Sequence, residues 1–239
     1  MSIFDTKLKE IRFYTKFEKM LPWIGSNYVS DKHKKLLIVG ESHYYPANVR
    51  YVGDVSRYSP EEWYSNKPVI FEGDEEQWIF TRNIIEWGSE TNWKAKGFLM
   101  NKNIELALSE AGLSAENKIG DRSFIFDEIA FMNYFIRPAF QGDSFKHIKT
   151  KLDSEKAFEN FIKVINIIKP EIIIFVSKYA LVDAECYSLW LHTEPIGCKY
   201  TYTTHSSCSW WNRVSSDKIL AGRTGRQHFV HFLKEQNFI

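Results

Sequence analysis

The sequence predicts an α/β fold in three layers, α/β/α, around a mostly parallel central sheet. Two continuous apolar runs carry this reading. Leu36-Leu37-Ile38-Val39 is closed by Gly40, and Glu171 to Val176 (EIIIFV) follows a Lys-Pro break. Runs of this kind are strands covered on both faces, as in parallel sheets. The third observation is that segments with helical apolar spacing separate the strands, as crossover connections require.

Each element has a local reason. Phe4, Leu8, Ile11, Tyr14, Phe17 and Leu21 recur at helical spacing and predict one amphipathic helix, ended by Pro22. Leu36–Val39 is the first parallel strand. Ser59-Pro60-Glu61-Glu62 is a capping box with proline at the first helical position, so a short helix follows. Asp74 with Gln77 caps a further helix to about Trp87, with Gly88 as its stop, and Asn101 opens another that ends at Gly112. Ser123 to Tyr134 (SFIFDEIAFMNY) predicts a second strand running into a loop. Ser154 to Ile168 predicts a helix with Phe158, Phe161, Ile162, Ile165 and Ile168 inward, broken by Lys169-Pro170. Glu171–Val176 is the third strand, Lys178–Leu191 a helix, and Lys199–Thr204 (KYTYTT) a fourth strand. Thr224 with Gln227 caps the last helix.

A chain of 239 residues, 44% of them hydrophobic, is long enough for one large core. With no repeat and no Pro/Gly/Ser linker, a single domain over residues 1–239 is expected, with residues 1–30 as an N-terminal helical extension. The net charge of +1 excludes a polybasic protein that binds by bulk charge. The balance hides an asymmetry. Gly53 to Glu90 holds nine acidic residues against three basic, and Lys199 to Ile239 holds six basic against two acidic. The basic tail is therefore where an anionic partner is expected. No run approaches the about 18 apolar residues of a membrane span, and the charged N-terminus lacks the apolar core of a signal peptide. Cys186, Cys198 and Cys208 form no CxxC pair, which speaks against a disulfide framework or a cysteine metal site. The expectation is a cytoplasmic protein with no cofactor, no metal and no membrane partner.

Polar and aromatic residues gather where the apolar strands stop. The strings are Gly40-Glu41-Ser42-His43-Tyr44-Tyr45-Pro46, Phe131-Met132-Asn133-Tyr134, and Thr204-His205-Ser206-Ser207-Cys208-Ser209-Trp210-Trp211-Asn212-Arg213. In parallel α/β sheets, ligands bind at these carboxyl ends. The Lys-Pro strand KPEIIIFVSKYA lies between the last two strings.

Taken in order, these strings resemble the motifs of the uracil-DNA glycosylase superfamily. That family has a G-[QE]-x-P-[YG] motif after its first strand, an Asn after the second and an H-P-S-like motif after the fourth. The resemblance runs from about Leu36 to Arg213 and implies a uracil-DNA glycosylase-like fold that binds DNA and hydrolyses the N-glycosidic bond of a flipped base. It places Glu41 at the border of the base pocket and Tyr44 at the position that blocks the 5-methyl of thymine. Asn133 would read the pyrimidine edge, and His205 would stabilise the departing base. Ser206 and Ser207 stand where the family has Pro-Ser, whose serine holds a flanking phosphate. Trp210 or Trp211 falls near the apolar wedge that fills the hole left by the flipped nucleotide. Apart from the resemblance, Arg213, Arg223 and Arg226 read singly as solvated surface and collectively as candidate phosphate contacts. Tyr45, Tyr51 and Tyr58 are candidate rings to stack on the base.

Three residues depart from the family pattern. Ser42 stands where the uracil-specific branch has its water-positioning Asp, His43 replaces a Pro, and Ser177 replaces a Gly. With Glu41, Ser42, His43 and His205 as candidate catalytic residues, the chemistry is plausible in type: an Asn offers a donor and an acceptor to one base edge, and a His donor stabilises negative charge on the leaving base. The competing expectation is a nucleic-acid or nucleotide binder of the same fold that lost the water-activating acid at Ser42. An unrelated hydrolase built on Glu41, His43 and His205 ranks last, because no tight His spacing supports a metal.

Overall fold

The computed structural model describes residues 2–45, 59–69, 71, 75–119, 122–140, 145–190 and 197–239. Pro46, Tyr51, Tyr58, Asp74 and Leu191, all named above, lie outside the described residues. The strands are β1 (Trp23–Ile24), β2 (Leu36–Gly40), β3 (Tyr44–Tyr45), β4 (Lys118–Ile119), β5 (Arg122–Ser123), β6 (Ala130–Asn133), β7 (Ala139–Phe140), β8 (Ile172–Phe175) and β9 (Lys199–Tyr202). The helices are α1 (Asp5–Lys9), α2 (Arg12–Lys16), α3 (Pro60–Trp63), α4 (Thr81–Glu90), α5 (Leu99–Glu110), α6 (Phe145–Ile148), α7 (Lys151–Ile168), α8 (Lys178–Trp190) and α9 (Gly225–Glu235). Short 3-10 turns connect several of them.

The protein is a mixed α/β structure with a mostly parallel central sheet, in the order β1-β6-β2-β8-β9. Strands β6, β2, β8 and β9 run parallel, and β1 is antiparallel on the β6 edge. Every residue of β2 is buried. Leu37 and Val39 enter one apolar cluster with residues of α1, α2, α7 and α8, while Leu36 and Ile38 enter a second with residues of α4, α5 and α9. Helices thus cover both faces of the sheet. Among the described residues, no helix is long and apolar enough to cross a membrane.

Several boundaries differ from the sequence expectation. The single N-terminal helix is two short ones, because Ile11 takes an extended backbone (ψ 121°) between α1 and α2. The bend lets Leu8, Ile11, Tyr14 and Phe17 all reach the first cluster. Residues 1–30, expected as a helical extension, also supply β1 and hence an edge of the main sheet. Gly88 does not stop its helix; α4 continues to Glu90. A Cβ at Gly88 would lie 2.4 Å from the Trp93 ring, so glycine serves close packing there.

The expected long second strand is shorter still. Within 123–134, Ile125–Glu128 forms a 3-10 turn and only Ala130–Asn133 pairs as β6. The reason is polar. Asp127 accepts from the Ser26 backbone N–H (3.0 Å) and hydroxyl (2.8 Å), Glu128 accepts from Asn27 (2.8 Å), and the Phe126 carbonyl accepts from the Trp23 indole (2.7 Å). These bonds tie the turn to the chain leading out of β1. Helix α7 starts three residues early because Thr150 and Asp153 form a reciprocal capping box, and it ends as Lys169 turns left-handed (φ 47°) before Pro170. The Thr224–Gln227 box caps α9 as expected.

Asp153 also anchors a buried ion pair. Arg137 donates to both of its oxygens at 2.7 Å, and the Tyr64 hydroxyl donates at 3.0 Å. Burial alone raises the Asp153 carboxyl, but the Arg137 hydrogen bonds and charge, with those of Thr150, outweigh it and hold it below the usual carboxylate range. Removing one partner strands the other charge. Arg137→Met is expected to cost about 3–5 kcal/mol of unfolding free energy, read from urea denaturation at neutral pH; a loss under about 1 kcal/mol would show that water reaches Asp153 freely.

Candidate functional site

The site is assembled on backbone that continues the sheet's hydrogen bonding past the ends of its strands. The Gly40 and Glu41 carbonyls accept from Tyr134 N–H (3.0 Å) and Phe135 N–H (2.8 Å), and the Phe175 carbonyl accepts from Thr203 N–H (2.8 Å). Farther on, the His43 carbonyl accepts from Ala139 N–H (2.8 Å), where β3 and β7 pair in parallel. Three strings separated in sequence are thereby held side by side.

Glu41 is the centre of the cluster. Its Oε1 accepts from the Tyr44 hydroxyl at 3.2 Å and its Oε2 from the Ser177 hydroxyl at 2.7 Å. Burial and the Glu41 charge push the Tyr44 phenol up to about 12, so it stays a donor at neutral pH. On the β6 side, Asn133 pairs in register with Gly40. A Cβ at Gly40 would sit 2.2 Å from Asn133 Oδ1, so the asparagine lies across the glycine because no side chain is there. Asn133 Oδ1 is buried with no hydrogen-bond partner among the described residues.

On the β9 side stands His205, partly exposed. Its Nδ1 accepts from the Ser207 backbone N–H (3.3 Å) and lies 2.8 Å from the Ser207 hydroxyl. A backbone N–H can only donate, so the neutral ring carries its proton on Nε2. Burial lowers the imidazole below its ordinary value, and the Glu41 carboxylate partly offsets this. The outcome is a neutral histidine at pH 7 whose Nε2–H has no hydrogen-bond partner among the described residues. The loop is braced from α5: the Ser206 hydroxyl donates to the Met100 carbonyl (3.3 Å), and Asn103 donates to the Ser206 carbonyl.

The structure thus brings Glu41, Tyr44, Asn133 and His205 to one end of the sheet, and adds Ser177. Other expected residues lie elsewhere or face inward. His43 is buried against Thr81, with Nε2 and Oγ1 3.2 Å apart. Burial holds its imidazole down at about 4, so it is a neutral structural side chain at pH 7. Tyr45 is fully buried beside Phe140 and offers no open ring face for a base. Ser42 Oγ is buried beside Tyr44. Ser206 is buried, whereas Ser207 is exposed. Trp211 is 1% exposed and packs edge-on against Phe229, whereas Trp210 is 54% exposed with Arg213 over its ring at 5.9 Å. The basic tail is less open than its charge suggests. Arg226 pairs with Glu110 and Arg223 with His231, while Lys178 covers Asp217 within the tail.

Neither Ser177, noted only as a departure from the family pattern, nor Thr81 is among the expected site residues. Ser177 had a readable signal, a serine between an apolar strand and a helix, where a hydroxyl caps the helix; its Oγ accepts from Ala180 N–H at 3.3 Å. Thr81 had none. A cavity of about 770 Å³ opens elsewhere, between α2, residues 63–69 and α7, with Phe17 and Trp63 among its apolar walls and Lys156 and Lys163 beside it. No expected site residue lines it. Among the described residues, no group of three or more His, Cys, Asp or Glu side chains is placed to hold a metal.

No family model, curated protein or solved structure matches the chain. The fold and site define a class by themselves: an α/β protein with a mostly parallel sheet and a carboxylate, an amide and a neutral histidine at its carboxyl end.

His43 gives a stability signature. The unfolded chain takes up this proton near pH 6.5, but the folded chain only near 4, so the folded state loses stability as pH falls through that window. His43→Gln is expected to flatten that part of a plot of urea midpoint against pH. An unchanged slope would mean that His43 protonates in the folded state at its ordinary value.

Proposed function

We propose that the protein is uracil-DNA glycosylase-like: it binds DNA and hydrolyses the N-glycosidic bond of a flipped, damaged or deaminated base. The observation that carries this reading is the convergence of the Glu41, Asn133 and His205 strings at the ends of the first, second and fourth parallel strands. That is the order in which the sequence resemblance to the superfamily requires them. The Lys-Pro strand is the third, β8, between the first and the fourth.

Each chemical need of this reaction has a candidate residue at the site. A base must leave the stack before its sugar bond is reachable. Its N–H edge would be read by the Asn133 amide, whose Oδ1 has no hydrogen-bond partner among the described residues. As the C1′–N bond breaks, its electron pair goes to the base, and His205 Nε2–H donates to the oxygen where that charge collects. Positive charge on the sugar faces the Glu41 carboxylate. The oxygen of a water bonds to C1′, its proton passes to Glu41, and the base takes up a proton from solvent. Exposed Trp210, backed by Arg213, is the side chain available to enter the vacated stack.

A second reading is a binder of the same fold without turnover. Ser42 favours it: the resemblance aligns it with the water-activating acid, and its hydroxyl is buried.

Uracil-, hypoxanthine- and mismatch-containing oligonucleotides separate the two. Release of free base is expected, with His205→Ala lowering kcat by roughly 10²–10³, the usual effect of removing one donor to a developing anion. Salt-dependent DNA binding with no base released would leave the binder, and neither binding nor release would remove both readings.

A further inference from the structure

We infer that Ser177 is a positioning residue for Glu41: its hydroxyl, donated to Oε2 while Tyr44 holds Oε1, fixes the carboxylate at the carboxyl end of the sheet. This rests on the proposed glycosylase reading and adds a residue to its machinery.

The direction of the hydrogen bond is set by its surroundings. Ser177 Oγ already accepts the Ala180 backbone N–H at the start of α8, so its own proton is free to point at Glu41, 2.7 Å away. Ser177 is 3% exposed, which shields that bond from competing water. It follows β8 directly, and β8 is paired with β2 through Val39 opposite Phe175. The carboxylate is therefore held from two strands at once: Tyr44 reaches it from its own string and Ser177 from the neighbouring one. A glutamate held at both oxygens has few rotamers left, so its charge is placed before any ligand arrives, as electrostatic preorganisation requires. The glycine usual in the superfamily at this position has no hydroxyl to give.

His205 reports the arrangement without turnover. Among the described residues, Glu41 is the charged group that acts on it; Ser207, which contacts Nδ1, is neutral. The fixed carboxylate favours the protonated ring, so releasing it must lower the imidazole's titration midpoint.

The experiment uses the full chain with Ser177→Ala, Ser177→Thr and Glu41→Gln. The His205 midpoint is read by NMR, base release by single-turnover kinetics, and Tm by calorimetry. For Ser177→Ala, kcat is expected to fall roughly tenfold with little change in KM, the size of one hydrogen bond to a charged group. Its His205 midpoint moves down, in the same direction as in Glu41→Gln. Ser177→Thr keeps the hydroxyl and restores both. A serine that merely caps α8 would lower Tm in Ser177→Ala and leave the midpoint in place, which would overturn the inference. If the wild type releases no base from any oligonucleotide, the glycosylase reading fails, while the midpoint still decides whether Ser177 positions Glu41.

Discussion

Strand β2 is hydrogen-bonded on both edges and buried on both faces. It pairs with β6 on one side and β8 on the other, and its alternate side chains enter two separate apolar clusters. A strand so enclosed has no place for polar side chains until it ends, because a buried polar group without a partner costs more than burial returns. Chemistry is therefore pushed to the first residues past Val39. Gly40 is still paired, and Glu41 is the first side chain free of the core. The same constraint acts on β8, where Ser177 comes one residue after buried Val176.

The site inherits its stiffness from this arrangement. Interstrand hydrogen bonds run on past the last side chain of each strand, so Glu41, Asn133 and the chain leading to His205 share one backbone framework. Among the described residues, the loop that carries His205 has no strand partner, and α5 braces it through Met100 and Asn103. The site joins a rigid half, Glu41 with Asn133 and Ser177, to a braced loop. Glu41, Asn133 and Ser177 are tied to the sheet, and His205 is carried on a loop.

The aromatic residues show how little of a composition is available for function. Phe17 stacks on Trp63, Phe135 on Phe145, and Trp211 meets Phe229 edge-on, all within the core. Tyr45 lies two residues from His43, and both point inward. Trp210 and Trp211 are neighbours in sequence with opposite fates, one exposed and one sealed. The 3-10 turn Ser209–Asn212 turns successive side chains to different sides, so only one ring of the pair can serve an external partner.

Local sequence rules determined much of the framework. The apolar runs at 36–39 and 171–176, the Thr224 cap and the Lys169-Pro170 break each follow from neighbours a few residues apart, and all are where the sequence placed them. It also determined that polar residues would crowd the strand ends, and which strings they were. Tertiary structure alone decided which members of those strings face one another. His43 and Tyr45 differ from Glu41 and Tyr44 only in the direction their side chains take, and nothing in the local pattern marks that direction. The short second strand was hidden for a similar reason, since Asp127 and Glu128 are held by Ser26 and Asn27 from a distant segment. Glu41 and Ser177 stand 136 residues apart, and their hydrogen bond exists because parallel pairing of β2 with β8 sets the ends of the two strands level. Spacing along a chain carries propensity and capping; proximity across a sheet depends on register, which only the folded packing fixes.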